Sequence, residues 1–107
     1  MPREKFQTLT QQMFYILLCL CEEQRGMDIL ELVRTMTGGR VAIGSGTLYD
    51  LLEQFTTEGM IRETKAEGRR RSYIITEKGQ TMLAGEYRRL REQTADYERL
   101  LGKEAEK

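Results

Sequence analysis

The chain has 107 residues, 39% hydrophobic and 32% charged, with 17 Lys and Arg balanced by 17 Asp and Glu to a formal net charge of zero. That length bounds it to one domain with at most an appended element, and the composition excludes a disordered chain and suits a helix-rich globular one. The longest apolar run, MFYILLCLC at 13–21, is far short of the roughly 20 residues of a membrane span, and the first ten residues lack the apolar centre of a signal peptide. No membrane partner and a cytoplasmic location are therefore expected.

The first helix is predicted to start after Thr8 or Thr10, either a good N-cap, and to run to about Glu23. Its apolar positions Met13, Phe14, Ile16, Leu17, Leu18, Leu20 and Cys21 are too many for one stripe, so a second side is expected to meet another subunit. Phe14, Tyr15 and Leu18 are assigned to that contact. Cys19 and Cys21 form a C-x-C pair, but the chain has no histidine and no further cysteine. A disulfide framework or metal site is not expected, and both are read as buried small hydrophobes. The missing histidine also removes the commonest general base, so no enzyme, metal or cofactor is expected.

After Gly26 a second helix is predicted from about Met27 to Thr37, with Ile29, Leu32, Val33 and Met36 on one face, ended by Gly38 and Gly39. A third follows with Ser45 as N-cap, Leu48, Leu51, Leu52 and Phe55 inward, and Gly59 as its stop. Two short strands, MIRETK (60–65) and RSYIIT (71–76), joined by AEGRR (66–70), read as a hairpin. Thr76 caps a last helix from Glu77 to about Leu101, in which Leu83, Tyr87, Leu90, Thr94, Tyr97 and Leu101 are spaced 4, 3, 4, 3, 4. That heptad seam calls for a partner helix.

Three helices, a hairpin and a long helix make a winged helix-turn-helix, mainly α with a small β-hairpin. The expected division is a DNA-binding domain at 1–76 and a C-terminal dimerisation helix and tail at 77–107. With the leucine stripe inside, the third helix leaves Ser45, Gly46, Thr47, Tyr49 and Asp50 outside near its N-terminus, where free N–H groups and the dipole suit a phosphate. Ordinary capping with a half-buried tyrosine is the alternative. Residues 60–73 carry a local charge of +3 and residues 92–107 one of −2, so the neutral total does not exclude a polyanion. Lys65, Arg69, Arg70 and Arg71 supply the wing with cations that suit phosphates or a narrow minor groove. Strand alternation sends Arg69 and Arg71 to one side and Arg70 to the other, but near a loop tip all three can remain exposed; a solvated charge run is the alternative.

The stretch GSGTLYDLLEQFTTEGMIRETKAEGRRRSYIITEKGQ resembles the signature region of the PadR family of bacterial transcriptional regulators. Gly46, Thr47, Leu48, Tyr49, Leu52, Gly59 and Ile61 match its recognition-helix motif, and Gly68, Arg69, Tyr73, Thr76 and Gly79 match its wing motif. The resemblance covers about residues 8–101. Asp50 stands where many members have proline, Phe55 where leucine is frequent, and Met27 where tyrosine is usual. The resemblance implies a homodimeric repressor that binds a double-stranded DNA operator, with Tyr73 at the DNA face. It also implies dimerisation through the C-terminal helix and release by a small aromatic or lipophilic effector. A winged-helix module for protein–protein contact is the alternative function.

Overall fold

The structure, a computed structural model, describes residues 8–68 and 70–102. The elements run α1 (Gln11–Cys19), β1 (Gln24–Arg25), α2 (Gly26–Met36), α3 (Ser45–Thr57), β2 (Ile61–Glu67), β3 (Arg70–Ile75), α4 (Glu77–Tyr97) and a π-helical turn (Glu98–Gly102). The fold is mainly helical, a winged helix with a long C-terminal helix.

Thr10 caps α1: its hydroxyl accepts from Met13 N–H at 3.2 Å, and the Met13 thioether accepts from Thr10 N–H. The helix stops at Cys19, short of the expected Glu23, because the Leu20 carbonyl accepts from Ile75 N–H at 2.8 Å and ties the helix end to β3. Cys19 is buried, which raises its thiol pKa, with the neighbouring Cys21 adding to the effect. Cys21 is exposed, contrary to expectation, because it lies past the end of the helix and outside the core. Ile16, Leu17 and Leu20 meet Ile29 and Val33 of α2, Leu48, Leu52 and Phe55 of α3, and Met60 and Ile61, none more than 2% exposed. Burying each such side chain is worth about 1.5–3 kcal/mol.

Three strands pair in the order β1-β3-β2, all antiparallel. The two-residue β1, with Gln24 opposite Tyr73 and Arg25 opposite Ser72, was not expected. In the wing, Ile61 opposes Ile75 and Glu67 opposes Arg70, so the loop is two residues rather than five, turned by Gly68 at φ 63°. A bulge between Glu63 and Lys65 adds twist halfway along.

Thr76 joins the wing to α4. Its hydroxyl accepts from Gly79 N–H at 3.2 Å and donates to the Gly59 carbonyl at 2.6 Å. A methyl on Gly79 would collide with the Met60 carbonyl oxygen, so the first turn of α4 requires glycine to lie this close to the sheet. Beyond it Leu83 and Glu86 are buried. Leu83 was expected in an intersubunit seam, but it belongs to the protomer's own core because α4 packs directly against α1 along this stretch. Regular α-helix ends at Tyr97, and the π turn that follows takes Leu101 out of the α-helical repeat. No helix among the described residues is long and apolar enough to cross a membrane.

Candidate nucleic-acid interface

Gly44, not Ser45, is the N-cap of α3: its carbonyl accepts from Leu48 N–H at 2.9 Å, which makes Ser45 the first helical residue. No side chain caps this end, so its first N–H groups have no partner within the helix. Ser45, Gly46, Thr47, Tyr49 and Asp50 are exposed, while Leu48, Leu51, Leu52 and Phe55 face the core.

Tyr49 leans on the start of α2. A Cβ placed on Gly26 would sit 3.1 Å from Tyr49 Cε1, so the phenol lies over a residue that offers no side chain to push it away. Between Tyr49, the start of α2 and the wing lies an open cleft of about 810 Å³. Arg25, Met27, Asp28 and Glu53 form one part of its wall, and Glu63, Arg70, Arg71 and Tyr73 the other. Arg70 and Arg71 both line it despite their alternation in the strand, since at the twisted tip two long side chains reach the same space.

Charge in the cleft is mixed. Arg71 Nη1 donates to Glu63 Oε1 at 3.4 Å, an exposed pair worth about 0–1 kcal/mol. Tyr73 is only 8% exposed, so it forms the cleft floor and core rather than a free surface group. Burial raises its phenol pKa, helped by the Glu63 charge and opposed by Arg71. Lys65 is exposed on the wing but outside the cleft, and Arg69 lies outside the described residues. Sequence reasoning missed Arg25, whose only signal was a cation directly before the second helix, and Glu63, whose pairing depends on strand register. Among the described residues no group of three or more Cys, Asp or Glu converges as metal ligands would.

The residues assigned to assembly fall into two sets. Phe14 and Tyr15 are partly buried against the core, their rings edge to face at 5.5 Å, and the Tyr15 hydroxyl accepts from Arg40 Nη2 at 3.0 Å. Leu18, Tyr87, Leu90, Thr94, Tyr97 and Leu101 are exposed. Thr94 turns its hydroxyl back to the Arg91 carbonyl at 2.9 Å, and the Arg91 guanidinium lies 5.8 Å from the Tyr87 ring centre.

The transcriptional regulator PadR-like family matches residues 16–85, from α1 through the wing to the buried part of α4. The chain belongs to this family. No curated protein matches this PadR-like sequence. Similar solved structures include a transcriptional regulator from Clostridium thermocellum, with TM-score 0.71 and 20% identity, covering 86% of this chain and 97% of that one. H. salinarum RosR is similar at TM-score 0.70 and 18% identity, covering 94% and 97%. The adhesin competence repressor AdcR from Streptococcus pyogenes matches at TM-score 0.62 and 20% identity, covering 91% and 69%. At these identities the likeness is one of fold.

Proposed function

We propose that this PadR-like chain is a cytoplasmic, sequence-specific DNA-binding repressor that works as a homodimer. In this reading α3 enters the major groove by its uncapped end, and Ser45, Gly46, Thr47, Tyr49 and Asp50 face the bases and backbone. Arg70 and Arg71, with Arg69 and Lys65, hold phosphates from the wing, while Tyr73 supports the floor between them. The observation that carries the reading is the shared cleft: Tyr49 of the exposed helix face and the two wing arginines border one open space. Residues 77–107 serve assembly, with Leu18, Tyr87, Leu90, Thr94 and Tyr97 on the apolar seam, Leu101 exposed on the π turn beyond it, and Phe14, Tyr15 and Leu83 behind it. An aromatic or lipophilic effector held between subunits would act only through unequal affinity for two dimer geometries, worth about 1–3 kcal/mol of operator binding.

Replacing Arg70 and Arg71 together with alanine is expected to weaken binding to all duplexes alike. It should also flatten the slope of log K against log salt by about 1 for each phosphate no longer held. A double variant that binds as well as wild type, with the same slope, contradicts the reading. One observation favours a protein–protein module instead: Asp50 and Glu53 are both exposed on α3. That alternative predicts no salt-dependent duplex binding by the wild type.

A further inference from the structure

The centre of the exposed face of α3 runs through Gly46, Asp50, Glu53 and Thr57, spaced 4, 3, 4 and opposite the buried Leu48, Leu51, Leu52 and Phe55. Gly46 has no side chain, so nothing on this line keeps the helix end away from base edges. Asp50 is the first side chain on it. Glu53, one turn on, lines the cleft toward the wing, whereas Asp50 lies outside that cleft.

The composition of α3 is as informative as this placement. SGTLYDLLEQFTT contains no lysine, arginine or asparagine. The helix therefore cannot make the bidentate contact that arginine or lysine makes to guanine O6 and N7, and its one amide of the kind that pairs with adenine, Gln54, is half-buried and already bonded to Asp50. What it presents centrally is a carboxylate, which when ionised only accepts hydrogen bonds. In the major groove guanine offers two acceptors, thymine an acceptor and a methyl group, and adenine an acceptor beside its amino group. Cytosine offers its N4 amino group alone. A carboxylate at this place selects cytosine by attraction, rejects guanine and thymine by facing acceptor against acceptor, and is weakened at adenine by the N7 acceptor beside its amino group.

Gln54 completes the arrangement. Its Nε2 donates to Asp50 Oδ2 at 2.9 Å across one helical turn. A neutral donor steadies the carboxylate without cancelling its charge and leaves Oδ1 for a base. We propose that Asp50 is a specificity-determining residue that accepts a hydrogen bond from cytosine N4 in each half-site, and that Gln54 is its positioning residue. The proposal rests on the DNA-binding reading given above.

The test is selection of bound sequences from randomised duplexes by the full chain and by Asp50→Ala, Asp50→Asn and Gln54→Ala, with thermal melts confirming that each variant is folded. Wild type is expected to enrich cytosine at one position per half-site, on the order of tenfold over other bases. Asp50→Ala should lose preference at that position alone. Asp50→Asn should move it to adenine, whose N6 and N7 match an amide. Gln54→Ala should weaken the cytosine preference without moving it. Duplex binding with base preferences that stay the same in Asp50→Ala and Asp50→Asn overturns the assignment and leaves the DNA-binding reading standing. Wild-type binding with no base preference overturns the assignment together with the sequence-specific part of that reading, leaving only general duplex binding. A wild type that binds no duplex at any salt overturns both.

Discussion

The two halves of α4 have the same helical geometry and opposite surroundings. From Glu77 to Glu86 the helix is locked down: Gly79 lies against the Met60 carbonyl, Leu83 is in the core, and Glu86 accepts from Leu9 N–H at 3.3 Å while pairing with Arg89. From Tyr87 to the end of the helix the apolar seam groups stand in solvent, with Tyr87 53%, Leu90 38% and Tyr97 54% exposed. One heptad spacing crosses both halves. Periodicity therefore reports that a helix has an apolar face but not what covers it. In the first half the cover is the protomer itself, and in the second no other described residue supplies one.

Leu90→Asp breaks the comparison most strongly. In the proposed dimer it leaves a buried charge unpaired, at a cost of about 3–5 kcal/mol to association. Light scattering should show monomers, and the melting temperature should lose its dependence on protein concentration while the protomer stays folded. A dimer that survives removes the distal half from the interface.

Leu83→Ala should do the reverse. It opens a cavity in the protomer core, costing about 2–5 kcal/mol of folding stability, and urea unfolding should register the loss. A variant that no longer associated but kept protomer stability would move Leu83 back to the seam.

Gly79→Ala tests the tether itself. The added methyl must displace the Met60 carbonyl, and overpacking of this kind costs about 1–3 kcal/mol. The midpoint of urea unfolding should fall. An unchanged midpoint would mean that the junction of wing and helix yields freely.

The smallest effect is one of pH. The Arg89 guanidinium, bonded to Glu86, holds that carboxyl below its usual range against the cost of burial, with the Leu9 amide assisting. A carboxyl depressed in the folded state contributes stability above its unfolded value and loses it as pH falls through the folded one. The advantage of wild type over Glu86→Gln should therefore be present at neutral pH and fade as pH drops below about 4. Parallel stability curves from pH 7 to pH 3 would show that Glu86 does not act through its charge.

Much of the interface could be read directly from the chain. The leucine and phenylalanine stripe at 48, 51, 52 and 55 assigns the opposite face of α3 to solvent through helix period alone, and Gly68 marks the wing tip because the turn needs a positive φ. Thr76 could be read as a cap, while Gly79 had only a motif position until the structure paired its N–H with the Thr76 hydroxyl. By contrast, β1 is two residues long and exists only because β3 lies beside it, nearly 50 positions away. No local pattern encodes that. Tyr73 had a motif position but no burial until β1, β3 and the start of α2 came together. Arg25 and Glu63 entered the cleft by the same assembly.

The sequence by itself determined the four helices and the hairpin, their order, the inward stripe of α3, and which residue types its outer face can offer to a base. These follow from side-chain period, capping and turn chemistry, which act over a few residues. Only the tertiary structure decided that Leu83 is core while Leu90 is surface, that Tyr73 is buried in the cleft floor, and that Glu86 is buried against Leu9. Each of those depends on which distant segment arrives to exclude water. Two residues in the same heptad register differ only in what packs above them, and that is set by how the whole chain closes.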